Sequence, residues 1–167
     1  IALVDAADRG DANKVGELLA EGADVNYIKV HHGGEVGTAL FKAAKNGHLD
    51  VVQALIAAKA DVNKGRTDVG GTPLYVAAQE GHIDVLQALV DAKADVNKAR
   101  TDTGATPLYT AADNSHLDVV QALVDAKANV NKAMMDGATP LFIAAQKGHQ
   151  NVVRDLVAAK ADLDKAL

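Results

Sequence analysis

Apolar positions along this chain fall in short bursts of helical spacing, and the bursts come in pairs. In the clearest pair, Leu74, Ala77 and Ala78 share one helical face, and Val85, Leu86, Leu89 and Val90 form an i, i+3, i+4 stripe just beyond. Thr72 before the first burst suits an N-cap, because its hydroxyl can accept from an N–H of the first turn. Pro73 at the next position loses nothing, since that N–H has no partner in a helix anyway. Gly81 is placed to end the first helix. The second is predicted from about Ile83 to Ala92, and a polar loop leads from Asn97 to the next Thr.

The same pattern recurs along the chain. Ala60-Asp61-Val62-Asn63 returns 34 residues later as Ala94-Asp95-Val96-Asn97, and after another 34 as Ala128-Asn129-Val130-Asn131. Ala23-Asp24-Val25-Asn26 precedes these and Ala161-Asp162-Leu163-Asp164 follows. Thr72-Pro73-Leu74-Tyr75, Thr106-Pro107-Leu108-Tyr109 and Thr139-Pro140-Leu141-Phe142 are in the same register, with Thr38-Ala39-Leu40-Phe41 as an imperfect copy. All three prolines of the chain occupy this one repeat position. Ala-Ala pairs follow, then Gly47-His48, Gly81-His82, Ser115-His116 and Gly148-His149. A fixed period of this size predicts stacked units, each too small to fold alone. Such stacks present an extended surface more often than a catalytic pocket.

These residues resemble the ankyrin repeat, a family of about 33-residue units carrying the motif T-P-L-H-x-A. The resemblance covers nearly the whole chain. It implies one all-α solenoid of stacked helix-turn-helix units with projecting β-hairpin fingers, divided at about 1–26, 27–63, 64–97, 98–131 and 132–167. The His of the motif is Tyr or Phe throughout: Phe41, Tyr75, Tyr109 and Phe142. In the family that His ties Thr to the next unit; a Tyr restores part of such a network and a Phe none of it. The Gly that commonly ends the second helix survives as Gly22 and is Lys59, Lys93, Lys127 and Lys160 elsewhere. In the left-handed region each Lys costs roughly 1 kcal/mol against Gly.

The ends of the chain differ from its middle. Val51, Val85 and Val119 become Lys14 in the first unit, and Ala54, Ala88 and Ala122 become Glu17. In the last unit the Ala position becomes Asp155, and Leu49, Ile83 and Leu117 become Gln150. A terminal unit lacks a neighbour, so these changes predict caps on a complete array.

Bulk composition narrows the function. A net charge of −5 argues against non-specific nucleic-acid binding. No apolar run nears the ~20 residues needed to span a bilayer, so membrane insertion is not expected. Cysteine is absent, which excludes disulfides and thiolate metal sites and fits an intracellular, cytoplasmic protein. The chain begins at Ile1, so a removed segment stays open. Neither a cofactor nor a metal is expected. His48, His82, His116 and His149 occupy equivalent positions, separated by about the 8–10 Å of packed helices, too far apart to share one ion. His31-His32 with Glu35 lacks a fixed third ligand. The aromatic column places one ring per unit, which suits packing between fingers better than a cation cage.

Recurring residues build the scaffold, so varying ones are the site candidates. After the Ala-Ala pairs these are Lys45, Asn46, Gln79, Glu80, Asp113, Asn114, Gln146 and Lys147. At the finger tips they are His31, His32, Glu35, Arg66, Asp68, Val69, Arg100, Asp102, Thr103, Met134, Met135 and Asp136. In ankyrin proteins these positions resemble the concave groove that grips partners. The first finger carries four more residues than the last, and insertions of this kind map to loops on one face. The expectation is a non-enzymatic module, monomeric on its own, that binds a protein or peptide across the fingers and first helices. Two alternatives fit: an engineered, library-derived ankyrin binder, given the near-identity of the interior units, or a substrate of an asparaginyl hydroxylase at Asn63, Asn97 or Asn131, or a targeting segment of a larger enzyme.

Overall fold

The computed structural model describes residues 2–31, 34–66 and 68–164. Ten helices occur among them. The first helices of the five units are α1 (Ala2–Arg9), α3 (Ala39–Lys45), α5 (Pro73–Glu80), α7 (Pro107–Asp113) and α9 (Pro140–Gln146). The second helices are α2 (Ala12–Ala20), α4 (Leu49–Ala57), α6 (Ile83–Asp91), α8 (Leu117–Asp125) and α10 (Gln150–Ala158). First helices pack on first helices, second on second, and each unit pairs one of each. The result is a two-row solenoid.

Local chemistry sets the helix ends. Thr38, Thr72, Thr106 and Thr139 are buried N-caps, and each Oγ1 accepts the N–H three residues on at 3.1 Å. The three prolines stand at N1. Each second helix ends in a left-handed residue: Gly22, then Lys59, Lys93, Lys127 and Lys160, whose φ values run from 64° to 67°. The left-handed lysines anticipated from the sequence are therefore real. Their N–H and the next one bond back to the last helical carbonyls, as in Lys93 N to Val90 O at 2.9 Å and Ala94 N to Leu89 O at 3.0 Å.

Three kinds of contact join each unit to the next. Alanine pairs on the first helices, such as Ala43-Ala44, Ala77-Ala78 and Ala111-Ala112, are completely buried and let neighbouring backbones approach. Below them Val51, Val52, Leu55, Val85, Leu86, Leu89, Val119, Val120 and Leu123 form one continuous core. The histidines supply the second contact. Nε2 of His48, His82, His116 and His149 donates to the carbonyls of Asp8, Lys45, Gln79 and Asp113 at 3.3, 3.0, 3.0 and 3.1 Å. The rings of His48, His82 and His116 lie against left-handed glycine turns of the preceding unit. A Cβ built on Gly10, Gly47 or Gly81 would stand 2.7–2.8 Å from the ring of His48, His82 or His116. Asparagine supplies the third. The Oδ1 of Asn26, Asn63, Asn97 and Asn131 accepts the N–H of Asp61, Asp95, Asn129 and Asp162 at 2.7–2.8 Å.

Fingers follow α2, α4, α6 and α8. The first is a two-stranded antiparallel ladder of β1 (Lys29–His31) and β2 (Gly34–Gly37), and Lys29 is ion-paired with Asp5 of α1. The later ones are tight turns closed at the base by Arg66 N to Gly71 O, Arg100 N to Ala105 O and Met134 N to Ala138 O, all 2.9 Å, with Gly104 N to Arg100 O at 3.0 Å and Gly137 N to Met134 O at 3.1 Å inside the third and fourth. The β-hairpin form is thus confined, among the described residues, to the finger long enough to pair. Successive fingers also bond to each other, through Thr101 N to Val69 O at 3.0 Å and Met135 N to Thr103 O at 2.9 Å.

The two ends differ. On the first unit Lys14 and Glu17 are exposed and ion-paired at 2.8 Å, where the later copies of Lys14 are buried valines. On the last, Leu141 and Val153 are half-buried, Ala145 is exposed, and Val157 and Leu163 are 43% and 67% exposed. The polar Gln150 and Asp155 leave this face apolar. Gln150 replaces a residue, Leu117, that is already 37% exposed inside the stack.

Two stability predictions follow from these contacts. Leu89→Ala removes a fully buried side chain and is expected to cost about 2–5 kcal/mol, against little for Lys14→Ala, as read by denaturant unfolding. Gly81→Ala and Gly148→Ala share a positive φ, but only Gly81 faces a ring, since nothing lies within 4 Å of a Cβ at Gly148. Both should cost the left-handed penalty of about 1–2 kcal/mol. Gly81→Ala should cost measurably more, and equal losses would show that the glycine–histidine contact contributes nothing.

Candidate partner-binding groove

The predicted site residues divide once their neighbours are known. Several face the adjacent unit. Asn46 Nδ2 donates to the carbonyl and carboxylate of Asp8 at 2.9 and 3.0 Å. Asn114 Nδ2 donates to its own helix at Thr110 O, 2.8 Å. Lys147 and Asp113 form an ion pair across the last seam at 2.7 Å. Glu80 and Gln146 are exposed, and Glu80 accepts from Gln79 at 3.2 Å. His31 and Glu35 stand on β1 and β2, while His32 lies outside the described residues.

Five others converge. Lys45, Arg66, Val69, Gln79 and Arg100 line one hollow of about 220 Å³ between the second and third fingers and the helices α3 and α5. Phe41, Gly71, Tyr75 and Val76 complete its walls. Pattern reading gave these four no part in a site. Tyr75 and Phe41 had the expected packing role, since their rings sit at the finger bases and are only 8% exposed. The signal for more was an arginine in the same place on two successive fingers.

Each arginine is held by a carboxylate two residues on. Arg66 Nε donates to Asp68 Oδ1 at 2.9 Å, and its Nη2 to Oδ2. Arg100 repeats this on Asp102, at 2.9 and 2.5 Å. The Arg100 guanidinium carbon also lies 5.6 Å from the centre of the Tyr75 ring, within cation–π range. The hydrogen bonds and charge of Arg100 hold the Asp102 carboxyl down at about 2, and Arg66 lowers Asp68 in the same way. The pairing in turn raises Arg100, with burial opposing. One unit further along, Met134 stands where Arg100 does and Met135 where Thr101 does. Met135 is 70% exposed and Met134 half-buried, and Asp136 accepts from Ala138 N at 3.0 Å. Tyr109 beside them is raised by burial and by the charges of Asp113 and Asp136.

Two comparisons with known proteins bear on this arrangement. Ankyrin repeats (3 copies) match residues 3–100 and 92–166. The chain belongs to the ankyrin-repeat family. It is also 45% identical over 62 residues to the Ankyrin repeat and KH domain-containing protein mask-1 of Caenorhabditis elegans, a stretch that is 37% of this chain and 2% of that protein. Family membership accounts for the Thr-Pro-Leu caps, the glycine–histidine turns and the asparagine ladder as one recurring design. Ankyrin repeats are in general protein-interaction modules, typically non-enzymatic. No described helix is long and apolar enough to cross a membrane.

The Asp102–Arg100 pair makes a testable statement. A folded-state carboxyl pKa near 2 means the pairing stabilises the finger above the ordinary carboxylate range and is lost as pH falls through 2. Carboxyl-detected NMR should therefore find an Asp102 midpoint near 2. Arg100→Gln should return it toward the unperturbed value of about 3.9.

Proposed function

We propose that the chain is a non-enzymatic interaction module that binds a protein or peptide on its finger/first-helix face, centred on the hollow of Lys45, Arg66, Val69, Gln79 and Arg100. One observation carries this reading. The side chains that join the units recur in nearly every copy, and five of the varying residues, from two successive fingers and two first helices, line one hollow. A joint must be the same wherever it occurs, whereas a contact made with a partner has no reason to repeat. Two features support binding with small loss of entropy: the fingers are braced against one another by backbone bonds, and both arginines are already oriented by carboxylates. Family membership supports the class of function, and the outer face is the natural control surface.

The test compares two charge reversals of the intact chain. Arg66→Asp with Arg100→Asp changes the hollow; Asp84→Lys with Asp118→Lys changes the exposed outer side of α6 and α8. In an affinity capture followed by mass spectrometry, the first variant should lose the proteins that the unaltered chain enriches, and the second should keep them. Circular dichroism should show both folded. Loss confined to the outer-face variant would place the binding face there instead.

A further inference from the structure

We infer that the hollow between the second and third fingers seats an acidic peptide segment, with a Glu or Asp side chain against Lys45, Arg66 and Arg100 and an adjoining apolar side chain against Val69 and Tyr75. This rests on the reading of the finger/first-helix face as the binding face and specifies the chemistry of its partner.

Charge is the first argument. The chain carries a net −5, yet every charged side chain that lines this hollow is a cation. Asp68 and Asp102 orient the arginines from outside its walls and offset their charge, so the excess positive charge of the hollow is that of Lys45. The hollow on the outer side, between α6 and α8, has the opposite character: Asp118 and Asp125 line it and no cation does. An acidic segment is therefore attracted to one face of the stack and repelled from the other.

Donor geometry is the second. A guanidinium has five N–H donors in a rigid plane, and Arg100 uses two of them on Asp102. Carboxylate and Tyr75 ring together fix that plane before any ligand arrives, so little side-chain entropy is lost on binding. Lys45 adds an exposed ammonium at the end of α3, free to swing onto the ligand from the helix side. Size is the third argument. At about 220 Å³ the hollow is below the ~300–1,000 Å³ of small-molecule sites, and it fits a side chain of a longer segment instead. Val69 and Val76 supply apolar wall beside the cations, which is why a purely acidic run satisfies the hollow less well than an acidic residue next to an apolar one.

The probe is a random linear peptide library displayed on phage and selected against the intact chain at low salt. The expected result is enrichment of sequences with Asp or Glu beside an apolar residue. Synthetic copies should bind roughly tenfold or more weakly to Lys45→Gln and to Arg66→Gln/Arg100→Gln, and should weaken as salt rises. Lys45→Gln is the variant that leaves the finger pairs intact. Enrichment of apolar or basic sequences that still depend on these positions would overturn the acidic partner and leave the binding face standing. Acidic sequences indifferent to all three cations, or bound through the outer face, would overturn both. Failure to enrich any sequence would overturn the acidic-segment inference alone, because capture of a folded partner by the same face is read separately.

Discussion

No unit of this chain can bury its apolar surface alone, so everything else depends on how closely one unit can approach the next. Alanine sets that distance. The paired alanines of the first helices are wholly buried, and any larger side chain there would part the rows. Close approach also brings the rings of His48, His82 and His116 onto backbone turns with no room for a Cβ, and puts each asparagine oxygen within 2.7–2.8 Å of a neighbouring N–H. The hydrogen bonds follow from the spacing, and the spacing follows from the smallest side chain that still covers the core.

Most of this was legible in the sequence because it is local. Thr72-Pro73 specifies a helix start from adjacent residues, and Lys93 had to be left-handed because it stands where the chain must turn out of a helix. What was not legible depends on distant partners. Asn46 and Lys45 are adjacent, both polar and both variable, yet one bonds to Asp8, 38 residues away, and the other lines the hollow. A varying polar residue looks the same in sequence whether it meets solvent or the next unit. The final face makes a related point. Asp155 and Gln150 differ from their interior copies, whereas the half-buried Leu141 and Val153 and the exposed Val157 stand at positions that are apolar in every copy.

The division between joint and hollow also explains why the arginines need their carboxylates. Finger tips are short turns, and an unsupported Arg there would sample many rotamers. Asp68 and Asp102 restrict those rotamers from within the same turn, so variation at the tip does not disturb the stack.

One joint is unlike the others. Ser115 occupies the left-handed position of Gly47 and Gly81, at φ 62°, and His149 opposite has moved to ψ 71°, where His48, His82 and His116 keep 80–82°. The substitution places a left-handed Ser at this joint, where His149 keeps its bond to the Asp113 carbonyl at 3.1 Å. A stack pulled from its two ends carries the same force through every joint in series. Such an object behaves as a row of springs under equal load, and the joint between the fourth and fifth units is the one coil wound differently from its neighbours.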